Sequence, residues 1–195
     1  MDTSATRTTR PRNAARHTRR LAIGLLGVPV AIGALTFGAG GLGGSGGGAE
    51  HATAELVDVT GAPVGSAKFT QDGNGTVHVN VHVKGLAPGL HGIHVHNVGS
   101  CAQGATAFAG AGSHHNPGAA THGQHAGDLP NLTVNRAGVG HLNSSTDTIT
   151  LSAGSSSVFD ANGSALVVHF AQDDYVTDPT GNSGARVACG VITAE

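Results

Sequence analysis

The chain has 195 residues, enough for one domain plus an extension, with aromatics at 3 %, no Trp, 32 Gly and a formal charge of −2. So few large side chains exclude a helical globule with a bulky core, and a mean hydropathy near zero excludes a multi-span membrane protein. Thirteen His against two Cys and one Met is the outlying figure.

Charge is divided unevenly along the chain. Residues 1–49 carry six Arg against Asp2 alone, whereas residues 50–195 carry Lys68, Lys84, Arg136 and Arg186 against eleven acids. The second part is acidic and offers no basic face to nucleic acid.

Residues 1–20 are rich in Arg, Thr and Ala; an uncharged apolar run, 21–37, follows, and then a Gly/Ser stretch, 38–48. Basic, apolar, then small and polar is the order of an export signal, to be set apart from the fold. The pair Arg19-Arg20 after Thr18 suggests twin-arginine export. The alternative is a retained N-terminal anchor, because a 17-residue apolar run sits at the lower edge of what spans a bilayer. The membrane is a partner only in that second case. The Gly-rich stretch is a flexible linker either way. Residues 1–49 are therefore expected to be an address, residues 50–195 the folded domain, and the protein exported to the cell envelope or beyond.

From residue 51 the pattern is β. In 76–83, TVHVNVHV, every second residue is Val, the mark of a half-buried strand. Asp72-Gly73-Asn74-Gly75 just before it reads as a hairpin turn. Further strands are expected at 52–59, 64–70, 91–97, 132–135, 138–142, 148–152, 165–170 and 186–193. Many short strands imply an antiparallel sandwich or closed barrel. Two long loops, 99–130 and 171–185, interrupt them, and loops of that length are commonly functional.

Cys101 and Cys189 lie 88 positions apart in the part expected to be exported, where one even pair most simply forms one disulfide. A closure that long adds about 4–5 kcal/mol in the loop-entropy picture. Two reduced, buried thiols are the other reading. In the segment 89–96, GLHGIHVH, His94 and His96 project from one face of a strand and can reach one ion. His114, His122, His125 and Asp128 follow in the first loop, and His169 ends the apolar run 165–168. An all-imidazole set suits copper or zinc; a set with a carboxylate suits zinc. His78, His82, His51 and His141 receive no chemistry, and His17 belongs to the leader. Phe69, Phe108, Phe159 and Phe170 are expected to pack, and Tyr175 has no assigned role.

The stretches GLHGIHVHNVGSC (89–101), GSHHNP (112–117), HAGDLPN (125–131), LVVH (166–169) and GNSGARVACGV (181–191) resemble, in order, the copper/zinc superoxide dismutases. The resemblance covers nearly all of residues 51–195. It implies a Greek-key β-barrel or sandwich of about eight antiparallel strands. It implies dismutation of superoxide to dioxygen and hydrogen peroxide, with copper on His94, His96, His114 and His169. His114 is then the shared imidazolate and proton carrier, and zinc sits on His114, His122, His125 and Asp128. Asp173 resembles the carboxylate linking His94 to His122, and Arg186 the guanidinium that guides the anion. Cys101 and Cys189 resemble the disulfide that ties loop to barrel, and His91 a His that braces a loop. A monomer and a homodimer are both compatible with it.

Two departures stand out. Only Gly123 and Gln124 separate His122 from His125, where the family usually has a longer segment; Gly123 suits a tight turn that brings both rings inward. The segment between His169 and Arg186 is short, and the family's Lys-bearing guidance elements have no match in it. His115 stands where an aromatic is common, and is expected to be exposed or to substitute for His122. The alternative function is a dismutase-like module that binds or delivers copper without turnover. That class usually lacks a copper ligand or the Arg, and here His94, His96, His114, His169 and Arg186 are all present.

Overall fold

The computed structural model describes residues 51–195. The expected export signal or anchor and its linker lie outside them. Among the described residues ten antiparallel strands form one sheet: β1 (His51–Asp58), β2 (Pro63–Gln71), β3 (Val77–Lys84), β4 (Gly89–His91), β5 (Ile93–His96), β6 (Leu132–Val134), β7 (Val139–Thr146), β8 (Ala165–His169), β9 (Arg186–Val191) and β10 (Thr193–Ala194). A single 3-10 turn at Ala109–Ala111 is the only helical element among them.

The strands hydrogen-bond in the order β4-β6-β7-β3-β2-β1-β9-β8-β5, with β10 on β1. The two ends of that path, β4 and β5, are consecutive in sequence, so the sheet nearly closes into a barrel. The joint is Gly92. Its N–H donates to the Ala171 carbonyl at 2.8 Å, and its own carbonyl accepts the His169 N–H at 2.8 Å. A Cβ there would lie 2.5 Å from the Ser183 hydroxyl, so the chain can change neighbours only where no side chain intervenes. The expected strand 91–97 is thus two strands serving the two edges of the sheet.

Alternation built this wall as expected. In β3 the four Val are buried and His78, Asn80, His82 and Lys84 face solvent. The hairpin before it is held by Asp72, whose Oδ1 accepts the N–H groups of Asn74 at 2.9 Å and Thr76 at 3.1 Å. Leu56, Phe69, Ile93, Leu132 and Leu166 fill the barrel. Strand β8 is buried on both faces: Leu166 and Val168 join that core, while Ala165 and Val167 pack outside the barrel with Phe108, Ala111 and Cys189. The first long loop is therefore a second layer laid over β8 and β9.

Two expectations fail. Residues 148–152 form no strand, because β7 continues to Thr146 beside β3 and the chain then turns away. Ile149 and Leu151 are still buried, but the Gln71 side chain replaces a partner strand, its Oε1 accepting the Leu151 N–H at 2.6 Å and the Thr150 hydroxyl at 2.9 Å. Phe170 is 64 % exposed rather than packed, since it follows His169 on the opposite side of the chain.

Candidate metal centre

The first loop returns antiparallel along β5. His96 bridges to His114 and His94 to Asp128. The main chain fixes this stitching: Val95 N–H to Gly127 O, His115 N–H to Val95 O and Gly127 N–H to His115 O are each 2.8 Å. Gly127 permits the approach, because a Cβ there would sit 2.2 Å from the Val95 carbonyl. Further along, the disulfide Cys101–Cys189 ties the loop to β9. The expected pairing is present.

Four imidazoles, His94, His96, His114 and His169, converge with one nitrogen each within 4.8 Å of the others. His114 also belongs to a second group with His122, His125 and Asp128 that meets the same limit. Four of these buried rings each commit one nitrogen to the protein. His96 Nδ1 donates to the Gly112 carbonyl at 3.1 Å, and His169 Nδ1 to the Gly184 carbonyl at 3.1 Å. His94 Nε2 and His122 Nε2 donate to the two oxygens of Asp173, both at 2.8 Å. The remaining nitrogens, His94 Nδ1, His96 Nε2, His169 Nε2 and His122 Nδ1, are buried with no partner. An orphaned buried polar atom costs about 1–3 kcal/mol, so four in one place describe a cradle for cations. In the second group His114 Nδ1 and His125 Nδ1 are 3.4 Å apart. Two ligands of a tetrahedral ion with bonds of about 2.0–2.1 Å lie about 3.3 Å apart. The donor sets fit the ions that the resemblance implies.

Electrostatics favour the ligating forms. Burial holds His96 down to about 2 and His169 to about 3, with repulsion from neighbouring rings and Arg186 adding to it. Burial also lowers His94, outweighing the opposing hydrogen bond to Asp173. These rings are neutral at physiological pH, as metal ligation requires. Burial pushes the Asp173 and Asp128 carboxyls up, but the hydrogen bonds from His94 and His122 to the first, and from His114 to the second, outweigh it. Both end below the usual carboxylate range.

Arg186 opens β9 at a cleft of about 600 Å³ that is also lined by His96, His114, His169 and Thr180. It donates to the Phe108 carbonyl at 2.6 Å and to that of Gly112, which His96 also uses. Phe108 holds its carbonyl there from the left-handed region, φ 52°. His91 braces from beneath, with Nδ1 2.7 Å from the His169 carbonyl and Nε2 2.8 Å from that of Ala87.

The short turn between His122 and His125 works as its Gly suggests. Gly123 takes φ +85°, and Asp128 Oδ2 accepts the N–H groups of Gly123 at 2.9 Å and His125 at 3.1 Å. His115, by contrast, is only 2 % exposed and belongs to neither group. Its backbone pairs with β5, which sets its Cβ beside Gly127, and its ring lies near the Ser156 backbone and Asp160. It neither faces solvent nor substitutes for His122.

Other supports were given no role by the sequence. Asp178 Oδ1 accepts the His122 N–H at 2.7 Å and lies 3.8 Å from His125 Nε2, so the second loop braces both ends of the short turn. Asn131 clamps Asp173 through both backbone groups, at 2.8 and 2.9 Å, and the Tyr175 hydroxyl accepts the Asn131 N–H at 2.7 Å. Gly181 is required beneath Asp173, since at φ +62° its Cβ would fall 2.0 Å from Asp173 Oδ1.

Residues 64–192 match the family model described as copper/zinc superoxide dismutase. The chain belongs to the copper/zinc superoxide dismutase family. A superoxide dismutase [Cu-Zn] of Deinococcus radiodurans is 42 % identical over 156 residues, covering 72 % of this chain and 83 % of that protein. Superoxide dismutase [Cu-Zn] 2 of Aquifex aeolicus is 36 % identical over 149 residues, covering 72 % and 85 %. Among solved structures, an SOD-like protein from Bacillus subtilis superposes with a TM-score of 0.67 at 33 % identity, covering 71 % of this chain and 96 % of that one. Within the dismutase family the fold is thus as expected.

Proposed function

We propose that this chain dismutes superoxide to dioxygen and hydrogen peroxide with copper held by His94, His96, His114 and His169 and zinc by His114, His122, His125 and Asp128. The observation that carries this reading is the sharing of His114 between two donor groups in which His94 Nδ1, His96 Nε2, His169 Nε2 and His122 Nδ1 are buried without hydrogen-bond partners. When bound, copper supplies one-electron redox chemistry, and zinc supplies a fixed positive charge without redox activity. His114 keeps Nδ1 against Asp128 at 2.9 Å, which leaves Nε2 free to hold a proton and pass it on. Arg186 presents a cation at the cleft and attracts the anionic substrate, a local task because the surrounding domain is acidic and screening limits reach to about 8 Å. Asp173 fixes the tautomers of His94 and His122 so that both point Nδ1 into their groups.

Export belongs to the same reading. The Arg-rich start, the apolar run 21–37 and the Gly/Ser stretch support a signal or anchor with a linker, and the disulfide suits an oxidising compartment. The test of activity is inhibition of superoxide-driven cytochrome c reduction by the metal-loaded protein, with His169→Ala as control. Inhibition by the wild type and its loss in the variant are expected. A loaded wild type that does not inhibit would replace the enzyme with a copper-binding or copper-delivery module.

A further inference from the structure

Far from this centre, two histidines that the activity leaves unused meet on the outside of the barrel. His82 of β3 and His141 of β7 are direct cross-strand partners, and both are exposed. Their ring centres are 4.5 Å apart with planes inclined at 53°. Every other His–His ring contact among the described residues is made by histidines of the two buried donor groups, within one group or, for His94 and His122, between them.

That separation has a meaning in coordination geometry. Two imidazoles bound to one ion at about 2.0–2.1 Å and meeting near a right angle hold their ring centres about 4.5 Å apart. Within the buried group His94, His96, His114 and His169 the ring centres lie 3.9 to 6.4 Å apart, a range that includes this spacing. The backbone beneath the outer pair is rigid: β3 and β7 pair over eight residues, Val77↔Thr146 to Lys84↔Val139, without a register shift. Alternation sends His82 and His141 outward with Asn80 and Asn143, so the rings need no rearrangement of the sheet.

The surroundings suit a cation. The pair borders a cleft of about 480 Å³ that continues across Ser66 to Glu55. These residues form one row, Glu55↔Ser66↔His82↔His141, across four strands, and the small Ser66 leaves room between carboxylate and rings. Lys68 also borders the cleft, but its ammonium pairs with Glu195 at 3.8 Å. In the order of the sheet, β3 and β7 are separated from β8 by β2, β1 and β9 on one side, and by β6, β4 and β5 on the other. The pair therefore sits on the opposite wall from His169 and Arg186.

We propose that His82 and His141 form a solvent-open binding site for one divalent transition-metal ion, two imidazoles and water completing its shell with Glu55 as the nearby counter-charge. Imidazole donors without thiolate select copper, nickel and zinc, and the order of affinities places Cu(II) first. The site lies on the opposite wall from the buried centre and takes no part in turnover.

The experiment uses the full chain with both buried groups already loaded, so that further uptake reports other sites. Cu(II) is titrated at pH 7.5 and followed by calorimetry and by electron paramagnetic resonance, with Zn(II) uptake followed by the imidazole ¹⁵N shifts. One further equivalent is expected, with the His82 and His141 signals moving together. His82→Asn and His141→Asn should each weaken that equivalent at least about tenfold, the scale on which even outlying partners of a metal site act. Both variants should leave dismutation unchanged. His78→Asn, on the same strand face but paired with Asp72 at 3.5 Å, should have no effect. The assignment is overturned by the absence of a further equivalent, by one that survives either substitution, or by one that only His78→Asn removes.

Discussion

Asp173→Asn should uncouple the two donor groups, and the structure says which one suffers. The carboxylate receives three hydrogen bonds: His122 Nε2 and the Tyr175 N–H on Oδ1, at 2.8 and 2.7 Å, and His94 Nε2 on Oδ2, at 2.8 Å. An amide has one acceptor and one donor end. The Tyr175 N–H cannot change its proton, so the amide oxygen must occupy the Oδ1 position and keep His122 as it is. The amide N–H₂ then faces His94 Nε2, which can pair with it only by giving up its own proton. The proton moves to His94 Nδ1, the nitrogen turned into the copper group, and that atom stops being a ligand. Loss of such an outlying partner costs about 10–100-fold in metal affinity, or about 1.4–2.7 kcal/mol. Competition with a chelator should show that loss for Cu(II), while Zn(II) affinity changes less than about threefold. An equal loss for both metals, or a loss confined to zinc, would refute the reasoning.

Asp178→Ala removes the acceptor for the His122 N–H while touching no copper ligand; zinc should bind about tenfold more weakly with copper affinity unchanged, as read by the same competition. Gly181→Ala places a Cβ 2.0 Å from Asp173 Oδ1 at a positive φ and should lower stability by about 2 kcal/mol or more, seen as a lower urea midpoint with unchanged slope. The metal-free domain should lose stability as pH falls below about 6.5. His96 and His169 protonate there when unfolded but only near 2 and 3 when folded, so the unfolded chain binds more protons across that window. Each ring contributes up to about 1.4 kcal/mol per pH unit. Urea midpoints at pH 7, 6 and 5 measure this, and a flat series would show that the rings are not buried neutral.

Much of this molecule is written in short-range pattern. Alternating Val made β3 legible, and the spacing of His94 and His96 placed two donors on one face before any contact was known. The segment 148–152 misled because Ile149 and Leu151 alternate as strand residues do, while the backbone pairing that defines a strand is supplied instead by a side chain 80 positions away, Gln71. His115 misled because its orientation depends on the loop pairing with β5, a contact that sequence spacing does not encode. Asp178 and Tyr175 carry no motif, and the motif that Asn131 ends, 125–131, does not name its partner; their roles arise from hydrogen bonds between the two long loops, at separations of 42 to 56 residues.

Gly92 makes the barrel a ring with one seam, and His94 and His96 begin two residues beyond it while His169 pairs across it. Closing the wall and assembling the donors are consequently the same event. A slip of one residue along that seam would send His94 and His96 into the greasy interior and push Ile93 and Val95 out beneath the loop. Correct assembly at this joint is checked by chemistry as well as by packing: only the right register can accept an ion.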